Sequence, residues 1–179
     1  RLGYDGKGQA RIDTIEQLSE THRQWNHVPC VLEKFLPLKC EVSVVLARGA
    51  DGSVAPFPVA ENQHVNGILD ISIAPARVSD AIKQQATDAA TRLAQALDYV
   101  GVLAVEFFVL HDDTLLINEI APRPHNSGHY TLDACVTSQF EQQVRALCGL
   151  PLGDTHQQTA AVMVNLLGDV WRDGKLPSD

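Results

Sequence analysis

Residues 115–133, LLINEIAPRPHNSGHYTLD, bring several reactive side chains close together along the chain. A carboxylate at Glu119, a guanidinium at Arg123 and imidazoles at His125 and His129 follow a short apolar run. A strand does not need this combination, whereas a site that holds a metal ion and an anion does. We therefore interpret the stretch as the floor of an active site, which other elements must position.

A second carboxylate is expected beside Glu119. The segments LAVEFFVL and LLINEI alternate as two strands of a hairpin. If Leu110 pairs with Leu115, Glu106 faces Glu119 at about 5 Å. Opposed like charges destabilise a sheet unless a cation compensates them, and Mg²⁺ accepts one or two carboxylates together with phosphate oxygens. A solvent-facing acidic pair is the alternative, and a register shift of one residue would remove the argument.

Arg123, His125 and Asn126 follow closely, in a loop that two prolines stiffen. Arginine suits bidentate contacts to anions, so these residues next to a metal–phosphate site favour a small oxyanion such as bicarbonate or a carboxylate. Zinc bound by His125 and His129 is a weaker alternative, because no cysteine or third histidine lies nearby and helix is unfavourable across 126–128.

Three further segments could contact a ligand. RLGYDGKGQ, at 1–9, is either a tight turn or a glycine loop that covers phosphates, and it lacks the ending of a Walker A loop. CVLEKFL, at 30–36, is an apolar strand with an acid and a base in it, which suits an edge strand or a ligand-facing one. The polar loop 61–67 holds His64, for which a solvated side chain is the simplest interpretation.

The elements that position these residues come as a run of strands, a helix, a hairpin, a loop and a further helix, after a first helix near the start of the chain. Helices are predicted over 13–25, 79–97 and 138–147, capped by Asp13, Ser79 and Ser138, and strands over 30–36, 41–47, 54–59, 68–74, 103–110 and 115–120. A further buried strand is predicted after residue 153. This order predicts an α+β fold with a mainly antiparallel sheet and helices packed on one face.

Composition excludes several classes of protein. The 179 residues carry a net charge of −8 and no basic run, so nucleic-acid binding is not expected. No apolar run is long enough to span a membrane. Four cysteines without CxxC spacing predict free thiols in a reducing cytoplasm. The chain opens inside a motif, so a piece of a longer protein is expected.

The motif NEIAPRPHNSGHYT, with GYDGKGQ, EKFL and Glu41 before it, resembles the N5-carboxyaminoimidazole ribonucleotide synthase family of ATP-grasp enzymes. The resemblance implies an ATP-grasp fold, in which residues 1–36 are the remainder of the B subdomain. Residues 37–152 would form the C subdomain with the metal and bicarbonate site. Residues 153–179 would begin a small C-terminal β domain.

The resemblance also implies an activity. Enzymes of this family use ATP and Mg²⁺ to activate bicarbonate as carboxyphosphate. The amine of aminoimidazole ribonucleotide then captures the carboxyl group, with release of ADP and phosphate. A cytoplasmic homodimer with these small molecules as its partners is expected. The alternatives are another ATP-grasp ligase, which uses formate or resembles biotin carboxylase, and a non-catalytic nucleotide-binding module.

The resemblance assigns roles to individual residues. Glu106 and Glu119 are implied as Mg²⁺ ligands, and Arg123, His125 and Asn126 as the catalytic bicarbonate site, which also binds substrate. ATP contacts are implied for Gly3, Tyr4, Asp5, Gly6, Lys7, Gly8, Gln9, Glu33, Lys34, Phe35, Leu36, Glu41, His64, Asn118 and Glu119, and aminoimidazole nucleotide contacts for Tyr4, Asp5 and Lys7. Two departures weaken the match: Ala121 stands where many ATP-grasp enzymes have asparagine, and Lys7 where relatives often carry arginine.

Overall fold

The computed structural model describes residues 8–168 of the chain. Its helices are α1 (Ile15–Gln24), α2 (Asp80–Ala96), a 3₁₀ helix (Asn126–Gly128), α3 (Thr131–Ala134) and α4 (Gln139–Leu147). Its strands are β1 (Leu38–Arg48), β2 (Val54–Pro56), β3 (Ala60–Val65), β4 (Ile68–Ala74), β5 (Gly101–Leu110), β6 (Leu115–Ala121) and β7 (Ala161–Val164). Two compact units result. Among the described residues, one holds 8–36 together with 65–68, and the other holds 37–64 and 69–168.

The first unit contains α1 and an irregular segment. Thr14, rather than the predicted Asp13, caps α1, because its side chain accepts the Gln17 backbone N–H at 3.3 Å. The strand predicted over 30–36 is absent, since these residues have no backbone partner within the described part of the chain. Phe35 is accordingly 72% exposed.

The second unit is built on one sheet, with the strand order β6-β5-β1-β3-β4-β7 and with β2 also paired to β1. β1 pairs antiparallel with β2, β3 and β5, and β5 pairs in the same sense with β6. This confirms the α+β class with a mainly antiparallel sheet. Two predictions were wrong. Most of the loop 61–67 is strand β3, and β7 is half-exposed rather than buried and joins the same sheet by pairing with β4.

The sheet is covered on both faces around β1, which is buried without interruption from Val42 to Arg48. On one face, α2 packs a stripe that begins at Ile82 and continues as alanines every four residues. Tyr130, Ala134 and Cys135 cover part of the other face. The prediction had placed all helices on one face. Burial of both faces of β1 requires cover on each side.

The helix caps of the second unit follow the sequence prediction. Ser79 caps α2 by accepting the Ile82 N–H, and Ser138 caps α4 by accepting the Glu141 N–H. All four cysteines lie within the described residues and are free thiols. Across residues 8–168, no helix combines the length and the apolar character needed to cross a bilayer.

Candidate active site

The hairpin of β5 and β6 carries both predicted metal ligands. Near its turn, Leu115 pairs with Val109 instead of the predicted Leu110. A bulge just beyond this region shifts the register, and Glu106 then lies opposite Glu119 as predicted. The one-residue difference in register at Leu115 and the bulge offset each other, because a bulge adds one residue to one strand of the pair. The acidic pair therefore depends on an irregularity that the residue count did not include.

Asn118 is the residue left without a partner at this bulge, between Ile117 and Glu119. Side chains alternate between the two faces of a regular strand. Without the bulge, the strand pairing would place Asn118 opposite Glu106. Glu119 would then point to the other face of the sheet. The bulge therefore decides which side chain of β6 meets Glu106.

Glu106 is a buried carboxylate, with only 8% of its surface exposed. Burial raises the pKa of Glu106, because the charged form loses its hydration, and the negative charge of Glu119 raises that pKa further. The nearby Asn118 side chain opposes part of this shift. A positive charge at this end of the hairpin would therefore stabilise the ionised pair.

The donor atoms at this position fit a hard cation. Two carboxylates and the Asn118 amide are the oxygen ligands that Mg²⁺ prefers, and Mg²⁺ usually completes its shell with water and phosphate. Between residues 8 and 168, no group of three or more His, Cys, Asp or Glu side chains could hold a metal ion. The pair thus suits a cation that is shared with a bound phosphate. Residues 126–128, where helix was expected to be unfavourable, form a 3₁₀ helix, and His129, the alternative zinc ligand, packs its ring on Phe140 with a centroid distance of 5.7 Å.

His125 lies against the carboxylate pair, with its Nε2 atom 3.4 Å from Oε1 of Glu106. The pKa of His125 falls to about 4, mainly because the ring is buried and secondly because of the positive charge of Arg123. The imidazole is therefore neutral near pH 7. Its contact with Glu106 is polar but is not an ion pair.

The Ser127 backbone N–H determines which nitrogen of His125 carries the proton, and two serine hydroxyls extend this network. The Ser127 backbone N–H donates to His125 Nδ1 at 3.3 Å, and the Ser127 hydroxyl lies 2.9 Å from the same nitrogen. The Ser43 hydroxyl donates to Ser127 Oγ at 2.8 Å, which leaves the Ser127 proton for His125. Because Nδ1 accepts these bonds, the ring proton lies on Nε2, which faces Glu106.

Arg123 and Asn126 flank His125 in residues 123–126, which we call the anion loop. The Arg123 side chain is exposed, and its Nη1 atom donates to the Pro124 carbonyl at 3.1 Å. The Asn126 Oδ1 atom is buried and has no hydrogen-bond partner among the described residues. An unpaired buried acceptor is costly, and a hydroxyl group of a ligand could satisfy it. The anion loop thus offers one cation and one free acceptor beside a neutral imidazole.

Glu41 on β1 and His64 on β3 meet on the same face of the sheet. His64 Nδ1 lies 2.8 Å from Glu41 Oε2, without the alignment of a directed hydrogen bond, so the contact is mainly electrostatic. This contact with Glu41 raises the pKa of His64, burial lowers it, and the charges of Glu106 and Glu119 add to the rise. His64 therefore lies within the field of three carboxylates instead of in a solvated loop.

The remaining predicted site residues precede residue 37 in the chain. Residues 3–7 lie outside the described part of the chain, and Gly8 and Gln9 are exposed. Glu33 to Leu36 are irregular, and the Arg11 guanidinium lies 4.4 Å from the centre of the Phe35 ring. The roles implied for these residues stay predictions.

Three buried polar residues of the site were missed by the sequence prediction: Ser43, Ser127 and Gln139. Gln139 is fully buried, and its amide bonds both backbone groups of His125, at 2.9 and 2.7 Å. No pattern marks the serines. Apolar spacing in α4 even points away from Gln139, because Val144 is exposed while the glutamines face inward.

Comparison with known proteins adds independent information to this geometry. A family model described as "ATP-grasp domain" matches residues 1–140. The N5-carboxyaminoimidazole ribonucleotide synthase of Bacillus subtilis (strain 168) is 54% identical over 169 residues, which are 94% of this chain and 44% of the relative. The synthase of Brucella melitensis is 53% identical over 171 residues, which are 94% of this chain and 47% of the relative. The chain thus spans a little less than half the length of these relatives.

Solved structures give the same result. An N5-carboxyaminoimidazole ribonucleotide synthetase in complex with ADP superposes with a TM-score of 0.88 at 51% identity, over 93% of this chain and 44% of that one. The Aspergillus clavatus N5-carboxyaminoimidazole synthase, in complex with ADP and 5-aminoimidazole ribonucleotide, superposes with a TM-score of 0.84 at 35% identity, over 90% and 44%. The fold, the carboxylate pair and these matches lead to one conclusion: the chain belongs to the ATP-grasp family.

Proposed function

We propose that the protein is an N5-carboxyaminoimidazole ribonucleotide synthase, which carboxylates aminoimidazole ribonucleotide with bicarbonate while ATP is converted to ADP and phosphate. The observation that carries the proposal is the buried Glu106, which pairs with Glu119 across the hairpin and contacts the neutral His125. This arrangement suits a metal-bound phosphate that meets a small anion. The names of the relatives supply the substrate class.

In the first step, an oxygen of bicarbonate attacks the γ-phosphorus of ATP. The bond between that phosphorus and the bridging oxygen of ADP breaks, which yields carboxyphosphate and ADP. Such a transfer needs alignment and charge neutralisation rather than a protein nucleophile. Arg123 would hold the anion by its charge, and Asn126 Oδ1 would accept the bicarbonate hydroxyl. His125 would direct its Nε2–H toward the same anion.

In the second step, the amine nitrogen of aminoimidazole ribonucleotide attacks the carboxyl carbon of carboxyphosphate. The bond between that carbon and the phosphate oxygen breaks, and phosphate leaves. The amine loses one proton, which the departing phosphate accepts. The protein again contributes alignment, because the anion loop holds the carboxyl group in place.

Glu106 and Glu119 would hold Mg²⁺, with Asn118 beside them. When bound, Mg²⁺ supplies positive charge to the phosphate oxygens. Glu41 is proposed as an acceptor for the ribose hydroxyls, and His64 would steady its carboxylate at 2.8 Å.

The proposed roles in the first unit rest on the family resemblance. Residues 3–9 would cover the ATP phosphates, and Tyr4, Asp5 and Lys7 would contact the aminoimidazole nucleotide. Residues 33–36 would read the adenine edge through backbone groups. Alanine replacement of Lys7 in the complete gene product tests this set: a KM for aminoimidazole ribonucleotide that does not change would contradict the role of Lys7.

The decisive experiment measures ATP hydrolysis by the complete gene product, with and without bicarbonate and aminoimidazole ribonucleotide. Glu106→Gln should lower the Mg²⁺-dependent rate about a hundred-fold or more. Glu61→Gln is the matched control, because Glu61 is equally buried at 8% exposure in the same sheet but points to the opposite face. It should keep most of the activity.

Three results would contradict the proposal. A wild-type rate of ATP hydrolysis in Glu106→Gln would show that the carboxylate pair is not needed for catalysis. Stimulation by formate but not by bicarbonate would indicate another ATP-grasp ligase. ATP binding without any turnover would indicate a non-catalytic nucleotide-binding module.

The location and the assembly of the protein are also proposals. We expect a cytoplasmic homodimer, as the family resemblance implies. Light scattering coupled to size-exclusion chromatography of the complete gene product measures the oligomer, and a monomer at assay concentration would contradict the dimer. Cell fractionation measures the location.

A further inference from the structure

We propose that Gln139 is a positioning residue for catalysis, which places the His125 imidazole by holding the backbone of the anion loop. The inference rests on the proposed function and adds a residue to it that does not touch the substrate. Gln139 lies fourteen positions after His125 in sequence, at the first residue of α4.

The contact between Gln139 and His125 involves both polar ends of the amide. The His125 backbone N–H donates to Gln139 Oε1 at 2.9 Å, and Gln139 Nε2 donates to the His125 carbonyl at 2.7 Å. Bonding both backbone groups of one residue restrains its peptide planes, as a neighbouring strand would. These two bonds thereby hold the Cα atom that carries the imidazole.

The Gln139 side chain is itself held in place. Its backbone N–H donates to Thr131 Oγ1 at 3.0 Å, and the Thr131 hydroxyl donates to the Gly128 carbonyl at 2.6 Å. Gly128 lies against the amide, and a Cβ atom there would come 2.6 Å from Gln139 Oε1. Because Gln139 is completely buried, its amide cannot turn toward solvent.

This restraint matters for the chemistry because the His125 ring contacts two neighbours at once. Its Nδ1 atom bonds Ser127, and its Nε2 atom faces Glu106. Misplacement of a reacting group by about 1 Å can lower a rate about a hundred-fold. A buried amide that fixes the His125 backbone therefore belongs to the apparatus that aligns bicarbonate.

The same helix provides a matched control in Gln142. Gln142 is also fully buried, its Nε2 atom donates to the Gly153 carbonyl at 2.7 Å, and the Gly153 N–H donates to its Oε1 atom at 2.9 Å. Gly153 lies in the segment between α4 and β7, outside the anion loop. The two glutamines thus make the same bonds at the same burial to different targets.

The test compares Gln139→Leu with Gln142→Leu in the complete gene product. Each variant should lose a similar amount of thermal stability, since each loses two hydrogen bonds. Only Gln139→Leu should raise the KM for bicarbonate, by about ten-fold to a hundred-fold, while the KM for ATP changes less than about two-fold. Equal effects on bicarbonate in both variants, or no effect in either, would overturn the proposal.

A second pair of variants tests the inference if the leucine variants fold poorly. Gln139→Glu keeps the size and the acceptor for the His125 N–H but loses the donor to the His125 carbonyl, and Gln142→Glu is its control. Of this pair, only Gln139→Glu should raise the KM for bicarbonate. Amide hydrogen exchange at His125 gives a readout that needs no activity, and it should accelerate in Gln139→Leu but not in Gln142→Leu, because only Gln139→Leu removes the acceptor of the His125 N–H. Unchanged exchange at His125 overturns the inference. A wild-type enzyme that hydrolyses no ATP with bicarbonate overturns the proposed function instead.

Discussion

Gly128→Ala should destabilise the protein by about 2–4 kcal/mol, because the 3₁₀ helix packs directly on the Gln139 amide. A Cβ atom at position 128 would lie 2.6 Å from Oε1 and 2.8 Å from Cδ of Gln139. Atoms in ordinary contact lie about 3.5 Å apart or more. Since the amide is fully buried, it can yield only by leaving its bonds to His125.

The size of this loss in stability follows from overpacking and from lost hydrogen bonds. The two costs do not simply add, because movement of the amide relieves the overpacking. Overpacking a well-filled region costs about 1–3 kcal/mol. If the amide moves away, each lost hydrogen bond costs about 1 kcal/mol net. The melting temperature should therefore fall by about 4–16 °C, at roughly 2–4 °C for each kcal/mol.

Thermal and urea denaturation of the complete gene product measure this change. Gly168→Ala is the control, because Gly168 is exposed and no described atom lies within 4 Å of a Cβ placed there. It should shift stability by less than about 0.5 kcal/mol. In a Gln139→Ala background, Gly128→Ala should cost less than about 1 kcal/mol, because the obstructing amide is gone. An equal cost in both backgrounds would refute the packing argument.

Three other changes have definite expected outcomes. The Arg77 guanidinium holds the pKa of Glu61 below its usual value, so the pair stabilises the fold above the ordinary carboxyl pKa and loses this contribution as the pH falls through the lowered one. The free energy of unfolding of Arg77→Met should thus be lower than that of wild type at pH 7, and the gap should narrow as the pH falls through the lowered pKa of Glu61; a gap that stays constant with pH would contradict this. Tyr130→Phe should cost about 1–2 kcal/mol in urea denaturation, since the Tyr130 hydroxyl donates to a backbone carbonyl at 2.6 Å; an unchanged midpoint would contradict it. Lys39→Ala should leave the urea-denaturation midpoint nearly unchanged despite a 2.6 Å contact with Asp113, because both side chains are about half exposed, and a clear loss of stability would show that exposure does not screen the pair.

Local signals in the sequence were sufficient for much of the fold. Ser79 and Ser138 mark the starts of α2 and α4, where each hydroxyl accepts a backbone N–H three residues ahead. Alternating apolar residues marked β1, β5 and β6. These features depend on neighbours within a few positions, so the linear chain contains the information that they need.

Longer-range features were not predictable in the same way. The segment 30–36 has the composition of a strand, yet it forms none in the described part of the chain, because a strand also requires a backbone partner. The predicted hairpin register was wrong by one residue at Leu115 and correct at Glu119. The bulge at Asn118 explains both results, and no residue type in the segment signals a bulge.

By itself, the sequence determined which residues are candidates for the site: the acids Glu106 and Glu119, and the anion loop of residues 123–126 within a motif typical of one enzyme family. Only the tertiary structure decided how these groups are held. Ser127, whose backbone N–H bonds His125 Nδ1, is itself bonded by Ser43, which lies 84 positions away in the chain. The His125 backbone depends on Gln139 on another helix. Burial and hydrogen bonds between distant segments exist only after folding, and they set the charge, the tautomer and the position of His125.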